Sequence, residues 1–258
     1  MRLKCLVLQK FVNQINLSDR KEVCKCICYS GSAENTNFLQ GDIMQITKKN
    51  MIESQLKPEG ISCLNTIDCI SRVNREDFTP IEFMNLAYAE YDIPLNSDYS
   101  MLKPLMVAKI LQLLEITKSD VVLEIGTGSG YLTSCLSLMG KFVDTVDIDP
   151  LMLEKSKIAH KNNNITNIHY AHEDIFSNWS PKKNYDVIVV TGSIESRIKK
   201  LEDVLRVNGR MFAVIGQYPV MHANLIERVS ENKLLSNQVF ETLLDPLKNI
   251  NKKKCLNF

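Results

Sequence analysis

Apolar and polar positions along this chain follow two rhythms that change near Pro104. Before it the spacing is helical. In NMIESQLKPEGI (50–61), Met51, Ile52, Gln55 and Leu56 fall on one turn-spaced face, and Pro58 and Gly60 end the run. In ISCLNTIDCISRV (61–73), Ile61, Leu64, Ile67, Ile70 and Val73 recur every third residue and predict a core-facing stripe. NREDFTP (74–80) then reads as a loop leading into IEFMNLAY (81–88). After Pro104 an amphipathic helix, LMVAKILQLLEI (105–116), opens a run of short apolar segments alternating with helical ones. The apolar segments are DVVLEIG (120–126), FVDTVDID (142–149), NIHYAHED (167–174), YDVIVVTG (185–192) and GRMFAVIG (209–216). The helical ones are YLTSCLSLMG (131–140), PLMLEKSKIAHKNN (150–163) and ESRIKKLEDVLRV (195–207). Near-continuous apolar strands such as VIVV suit parallel strands buried on both faces, and the alternation predicts βαβ units with right-handed crossovers. The segment 225–247 is left to supply a helix or a strand pair that finishes the sheet.

The division expected on this reading is a poorly ordered extension over residues 1–43, a helical segment over 44–104, an α/β core over 105–250 and a basic tail over 251–258. The extension mixes Cys, Asn, Ser and Gly without an apolar period, and GSAENTNFLQGD (31–42) reads as loop. It also holds CKCIC (24–28), but zinc sites pair such a cluster with a second one, and none exists here, so no metal site is expected. With 31 basic and 30 acidic side chains the net charge is +1, which removes any global electrostatic case for nucleic acid or an anionic membrane as partner. No apolar run reaches the roughly 18 residues a spanning helix needs. MRLKCLVLQKFVNQ (1–14) lacks the features of a secretory signal, so a cytoplasmic location is expected.

The most informative stretch is VVLEIGTGSGYL (121–132). A strand meets Gly126, Thr127, Gly128 and Gly130, and a helix follows at once. Glycines there allow positive φ and let the backbone pass close to a ligand at the carboxyl end of a parallel strand. The dinucleotide pattern wants a further glycine where this chain has Tyr131, and Glu124 would repel a pyrophosphate. A carboxylate at that point suits a cationic, phosphate-free ligand. S-adenosyl-L-methionine, with its ammonium and sulfonium, fits better than NAD. Asp147, 21 positions after Gly126, ends the next strand, where it can accept from both ribose hydroxyls. Asp149 competes for that role but precedes Pro150 as a helix cap would. Asp174, in HEDIF, follows the next strand and is either a partner for the adenine amino group or an ordinary loop carboxylate. Thr191 and Gly192 end the fourth strand and are expected to line the methyl-transfer pocket.

With these residues in view the chain resembles the protein-L-isoaspartate (D-aspartate) O-methyltransferase family over about residues 51–249. MIESQLKPEGI is similar to the family's opening helix, VNREDFTP to its VPRExFVP segment, AYAEYDIPL to its AYxDxPL stretch and PLMVAKILQLLEI to its PxMVAxMxxLL helix. VLEIGTGSGYL resembles its cofactor loop, and Asp174 with Trp179 its GDGxxGW segment, with Glu173 in place of a glycine. The resemblance implies a Rossmann-like methyltransferase fold: a mostly parallel seven-stranded sheet with helices on both faces, plus an N-terminal helical segment.

NSDYSMLKP (96–104) departs from the family's GxGQTISxP. Counted back from Pro104, Leu102 stands where the family has its catalytic serine, Ser100 where it has threonine, and Asp98 where it has glycine. Ser100 is the surviving hydroxyl and the candidate catalytic residue. The family implies an O-methyltransferase acting on a carboxylate of damaged protein or peptide. Leu102 and Met101 make the pocket mouth more apolar, which keeps open a methyltransferase with a small acceptor. A cofactor-binding module that acts through a partner without catalysis is the third reading.

Overall fold

The computed structural model describes residues 33–248 apart from 178 and 182. The CKCIC cluster and the basic tail lie outside the described residues. The first helix, α1 (Ala33–Met51), continues through one π-helical turn, Ile52–Leu56, so the loop expected of 31–42 is helix from Ala33 onward and the boundary at 43/44 falls inside one element. Met51, Ile52 and Leu56 are buried along it, as their spacing predicts.

In α2 (Leu64–Arg72) the three-residue stripe holds only in part: Ile70 is buried, but Leu64 is 80% exposed. Each step of three covers 300° of helix, so a strict period of three drifts by about 60° per step, and Leu64 is carried off the face that Thr66, Cys69 and Ile70 bury. Two 3-10 segments follow, Arg75–Phe78 and Ile81–Leu86, then a hairpin of two-residue strands, β1 (Ile93–Pro94) and β2 (Ser100–Met101).

The remaining elements are α3 (Pro104–Leu114), β3 (Val121–Ile125), α4 (Tyr131–Met139), β4 (Phe142–Asp147), α5 (Pro150–Asn162), β5 (Ile168–His172), β6 (Tyr185–Ile194), α6 (Lys199–Asp203), β7 (Leu205–Gln217), β8 (Val220–Ser230) and β9 (Lys233–Glu241). They build a seven-stranded sheet in the order β5-β4-β3-β6-β7-β8-β9. The first five strands in that order run parallel, and β8 and β9 are added antiparallel, so segment 225–247 contributes strands and not a helix. The helix expected over 195–207 is only the five residues of α6, because β7 begins at Leu205.

Alternation along β3 divides the core between two faces. Val122 packs with α2, α3 and α4 on one side, while Leu123 and Ile125 pack with Ile188, Val190 and Leu201 of α6 on the other. Both faces of the central strands are therefore apolar, and each fully buried Val, Ile or Leu contributes about 1.5–3 kcal/mol. The sheet order reverses direction between β3 and β6, both of which neighbour each other although α4, β4, α5 and β5 intervene. That switch point opens a crevice at the carboxyl ends of β3, β4 and β6.

Candidate active site

The crevice holds a cleft of about 1020 Å³, counted out to its open mouth. Its floor is the turn between β3 and α4, where Gly126, Gly128 and Gly130 have φ of +94°, +53° and +84°. Gly126 is pinned from both sides. Its N–H donates to Val146 O at 2.7 Å, and the Thr191 hydroxyl lies 2.9 Å from Ile125 O and 2.8 Å from Gly126 O. A Cβ on Gly126 would come within 2.2 Å of that hydroxyl oxygen. Gly130 is held by His160, whose Nε2–H donates to Gly130 O at 2.9 Å while Nδ1 accepts from Tyr170 Oη at 2.7 Å. Burial pushes the His160 pKa down, which favours the neutral ring in which Nδ1 accepts from the Tyr170 hydroxyl.

The carboxylates expected around a cationic ligand converge on the same cleft. Asp147 accepts from Gly128 N at 3.0 Å and from Asp149 N at 2.8 Å, one bond on each oxygen. Each oxygen keeps a second lone pair for a ligand hydroxyl. Asp149 takes the capping role: its side chain accepts from Leu151 N at 2.9 Å, at the start of α5. Asp174 also lines the cleft and accepts from Phe176 N at 2.8 Å. Glu124 lies deeper than its sequence position suggests. It is fully buried, and its Oε2 accepts from Thr133 at 2.5 Å and Thr145 at 2.7 Å, while Oε1 has no partner. Thr127, 2.6 Å from Thr145 through their hydroxyls, joins this network to the glycine turn. Burial pushes the Glu124 pKa up to about 8. Among the described residues no group of three or more His, Cys, Asp or Glu is placed to hold a metal ion.

The cleft is covered by two segments from opposite ends of the chain. One is the β1–β2 hairpin, which brings Leu95, Tyr99, Ser100, Met101 and Leu102 to the cleft. The other is the stretch after β9, which brings Leu244, Pro246, Leu247 and Lys248 to the cleft and lays Leu247 over Gly192. That strap is fixed by backbone bonds between Ser193 and both Asp245 and Leu247, at 2.8 and 3.1 Å. It is tied to the hairpin by Lys248, which pairs with Asp98 at 2.9 Å and sits 4.8 Å from the Tyr99 ring centroid.

The fold is that of known relatives. The family model described as protein-L-isoaspartate(D-aspartate) O-methyltransferase matches residues 46–252. The chain belongs to this family. A protein-L-isoaspartate O-methyltransferase from Gloeobacter violaceus is 31% identical over 166 residues, covering 64% of this chain and 81% of the relative. One from Desulfotalea psychrophila is 31% identical over 175 residues, covering 68% and 82%. In fold, the chain matches a solved structure from Plasmodium falciparum of that description, in complex with S-adenosyl-L-homocysteine, with a TM-score of 0.67 over 80% of this chain and 98% of that one at 18% identity. As a family member this chain is an S-adenosylmethionine-dependent methyltransferase.

All of the site residues expected from sequence (Ser100, Glu124, Gly126, Thr127, Gly128, Asp147, Asp174 and Thr191) line the one cleft, and Gly130 closes the turn behind it. Sequence reasoning missed the strap, His160 and Arg75. The strap's DPL comes at the end of a segment read only as sheet completion. His160 falls on a helix with no motif around it. Arg75 lies in a stretch read as a loop, where an arginine ordinarily faces water.

Proposed function

We propose that this methyltransferase esterifies a carboxylate of a protein or peptide, with its methyl donor held between the β3–α4 turn and the end of β4. The observation that carries the reading is the cleft's charge. Asp147 and Asp174 stand at the ends of successive parallel strands around a glycine turn, a setting for a cationic nucleoside and not for a pyrophosphate, and Glu124 lies buried behind that turn as a polar group. The residues fit the cofactor: the turn carries no side chain at Gly126, Gly128 and Gly130, and Glu124 Oε1 is a buried, unpartnered polar atom beside it.

S-adenosylmethionine, when bound, supplies an electrophilic methyl group on a sulfonium. The residues of the chain do the rest. Gly126 and Gly128 present backbone at close range, and Asp147 accepts from ribose hydroxyls. Asp174 accepts from the adenine amino group, and Thr191 fixes the turn that faces the transferring group. An acceptor carboxylate is ionised at neutral pH, so it needs no general base. What it needs is orientation and a dry approach, which the hairpin and strap provide by covering the cleft. In this reading Ser100, at the hairpin's second strand, hydrogen-bonds the acceptor; its lining of the cleft supports that role. A smaller acceptor is the second reading, favoured by the apolar lining of Leu95, Met101, Leu102, Val107 and Leu247.

Incubation with methyl-labelled donor and an isoaspartyl peptide, beside its normal aspartyl counterpart, tests this reading. The expected result is label on the isoaspartyl peptide that is released as methanol by mild alkali. Alkali-stable label on another acceptor, or no incorporation by protein that binds S-adenosylhomocysteine, overturns it. Leu102→Ser restores the family hydroxyl and is expected to raise the rate; an unchanged rate removes the missing hydroxyl as the limiting feature.

A further inference from the structure

On the acceptor side the cleft holds a guanidinium that the scheme above leaves unused. Arg75 opens the first 3-10 segment, is 0% exposed, and lines the cleft beneath Met101 and Leu102. Its Nε donates to Ala87 O at 2.7 Å and its Nη2 to Leu102 O at 2.6 Å, and its guanidinium carbon stands 4.9 Å from the Tyr131 ring centroid. Both acceptors are neutral carbonyls, and Nη1 is buried with no partner. Among the described residues Arg75 takes part in no ion pair. Glu90 attracts it from a distance, but the Glu90 carboxylate accepts instead from Leu105 N at 3.2 Å. A buried cation without a counterion is destabilising by several kcal/mol in general, and proteins rarely keep one without use.

The other cation lining the cleft, Lys248, is committed to Asp98. The cleft is therefore polarised, with carboxylates at the strand ends and Arg75 under the hairpin. That polarity matches a pair of reactants of opposite charge: a cationic methyl donor and an anionic acceptor.

We infer that Arg75 anchors the acceptor's carboxylate, its unpartnered Nη1 taking the oxygen that is not methylated. This rests on the reading of the acceptor as a carboxylate. One oxygen bonds to guanidinium, and the other forms the new bond to the methyl carbon as the carbon–sulfur bond breaks. The products are a methyl ester and S-adenosylhomocysteine, and no proton moves. The ester is neutral, so Arg75 holds substrate more tightly than product. Nη1 is covered in the absence of acceptor, so the acceptor reaches it by shifting the hairpin, whose strands are only two residues long.

The test uses enzyme saturated with S-adenosylhomocysteine, titrated with an isoaspartyl peptide and with the same peptide carrying a carboxamide in place of the free carboxylate. Wild type is expected to prefer the acid by about tenfold or more, the scale of a charge-assisted pair in a partly desolvated site. In Arg75→Met the preference is expected to vanish, in Arg75→Lys to return in part, with S-adenosylhomocysteine affinity in both near that of wild type. Nitrogen-15 spectra of wild type give a readout that does not depend on the methionine variant folding. The Arg75 side-chain resonance, assigned by its absence in Arg75→Lys, is expected to shift with the acid and not with the amide. An acid preference that survives in Arg75→Met, or an Arg75 resonance that the acid leaves in place, overturns the assignment. If either occurs while wild type still makes alkali-labile esters, only the Arg75 assignment fails. If wild type binds neither peptide and makes no such ester, the carboxylate reading fails and the assignment goes with it.

Discussion

Lys248 and Asp98 pair at 2.9 Å across the mouth of the cleft, joining the last described residue of the chain to a hairpin 150 positions earlier. The pair closes a ring around the cleft, with Tyr99 beneath the ammonium. Side-chain bonding to Lys248 lowers the Asp98 pKa, and the pair raises that of Lys248. Both groups are exposed, so the pair acts on the opening of the strap more than on folding. Asp98→Gly, the family residue, is expected to speed dissociation of S-adenosylhomocysteine by about two- to fivefold at low salt, the range of an exposed pair. In about 0.5 M salt the difference is expected to disappear. Stopped-flow release measures both; equal rates at low salt contradict the latch.

The Gly126–Thr191 contact sets a sharper limit. A Cβ at position 126 meets both a left-handed φ of +94° and an oxygen 2.2 Å away. Gly126→Ala is expected to cost about 2–4 kcal/mol in chemical denaturation and to abolish cofactor binding. Adding Thr191→Ala removes the hydroxyl and is expected to recover part of that stability. No recovery in the double variant means the strain lies in the backbone alone.

Glu124 gives stability a pH dependence of known sign. Desolvation lifts its folded pKa to about 8, above the ordinary 4.5. The folded state therefore binds more protons than the unfolded one between those limits. The contribution is full below about pH 4.5 and is lost as pH rises through about 8. Asp147 is also raised by burial and acts in the same direction, so the wild-type slope alone does not isolate Glu124. Glu124→Gln keeps the shape and removes the titration. Relative to wild type it is expected to gain on the order of a few kcal/mol between pH 5.5 and 8.5 in ligand-free urea unfolding. Parallel pH profiles for the two proteins contradict the assignment.

The parallel core and the cofactor turn were legible in sequence because each rests on local rules. VIVV is apolar on both faces and VVLEI at every position but Glu124, and three glycines between a strand and a helix demand positive φ. Asp147 and Asp149 were separable because Pro150 marks the first turn of a helix. What stayed hidden depends on tertiary placement. Nothing local in NREDFTP says that Arg75 is buried among carbonyls. Leu64 fits an apolar stripe in print, yet the true turn of 3.6 residues carries it into solvent. In LEDVLRV the apolar spacing suits helix, but pairing of Leu205 with Tyr185 recruits the segment into β7. The polar composition of 31–42 reads as loop, and α1 runs through it from Ala33.

In the proposed reading the donor sits against the glycine turn with Asp147 at its ribose. Calorimetric titration of S-adenosylhomocysteine into wild type and Asp147→Ala tests it most directly. Asp147 holds Gly128 N and Asp149 N as well as the ligand, so the variant is expected to lose affinity by about thirtyfold or more. An affinity in Asp147→Ala equal to that of wild type contradicts the account, as does a wild type that takes up a nicotinamide dinucleotide and gives no heat with S-adenosylhomocysteine.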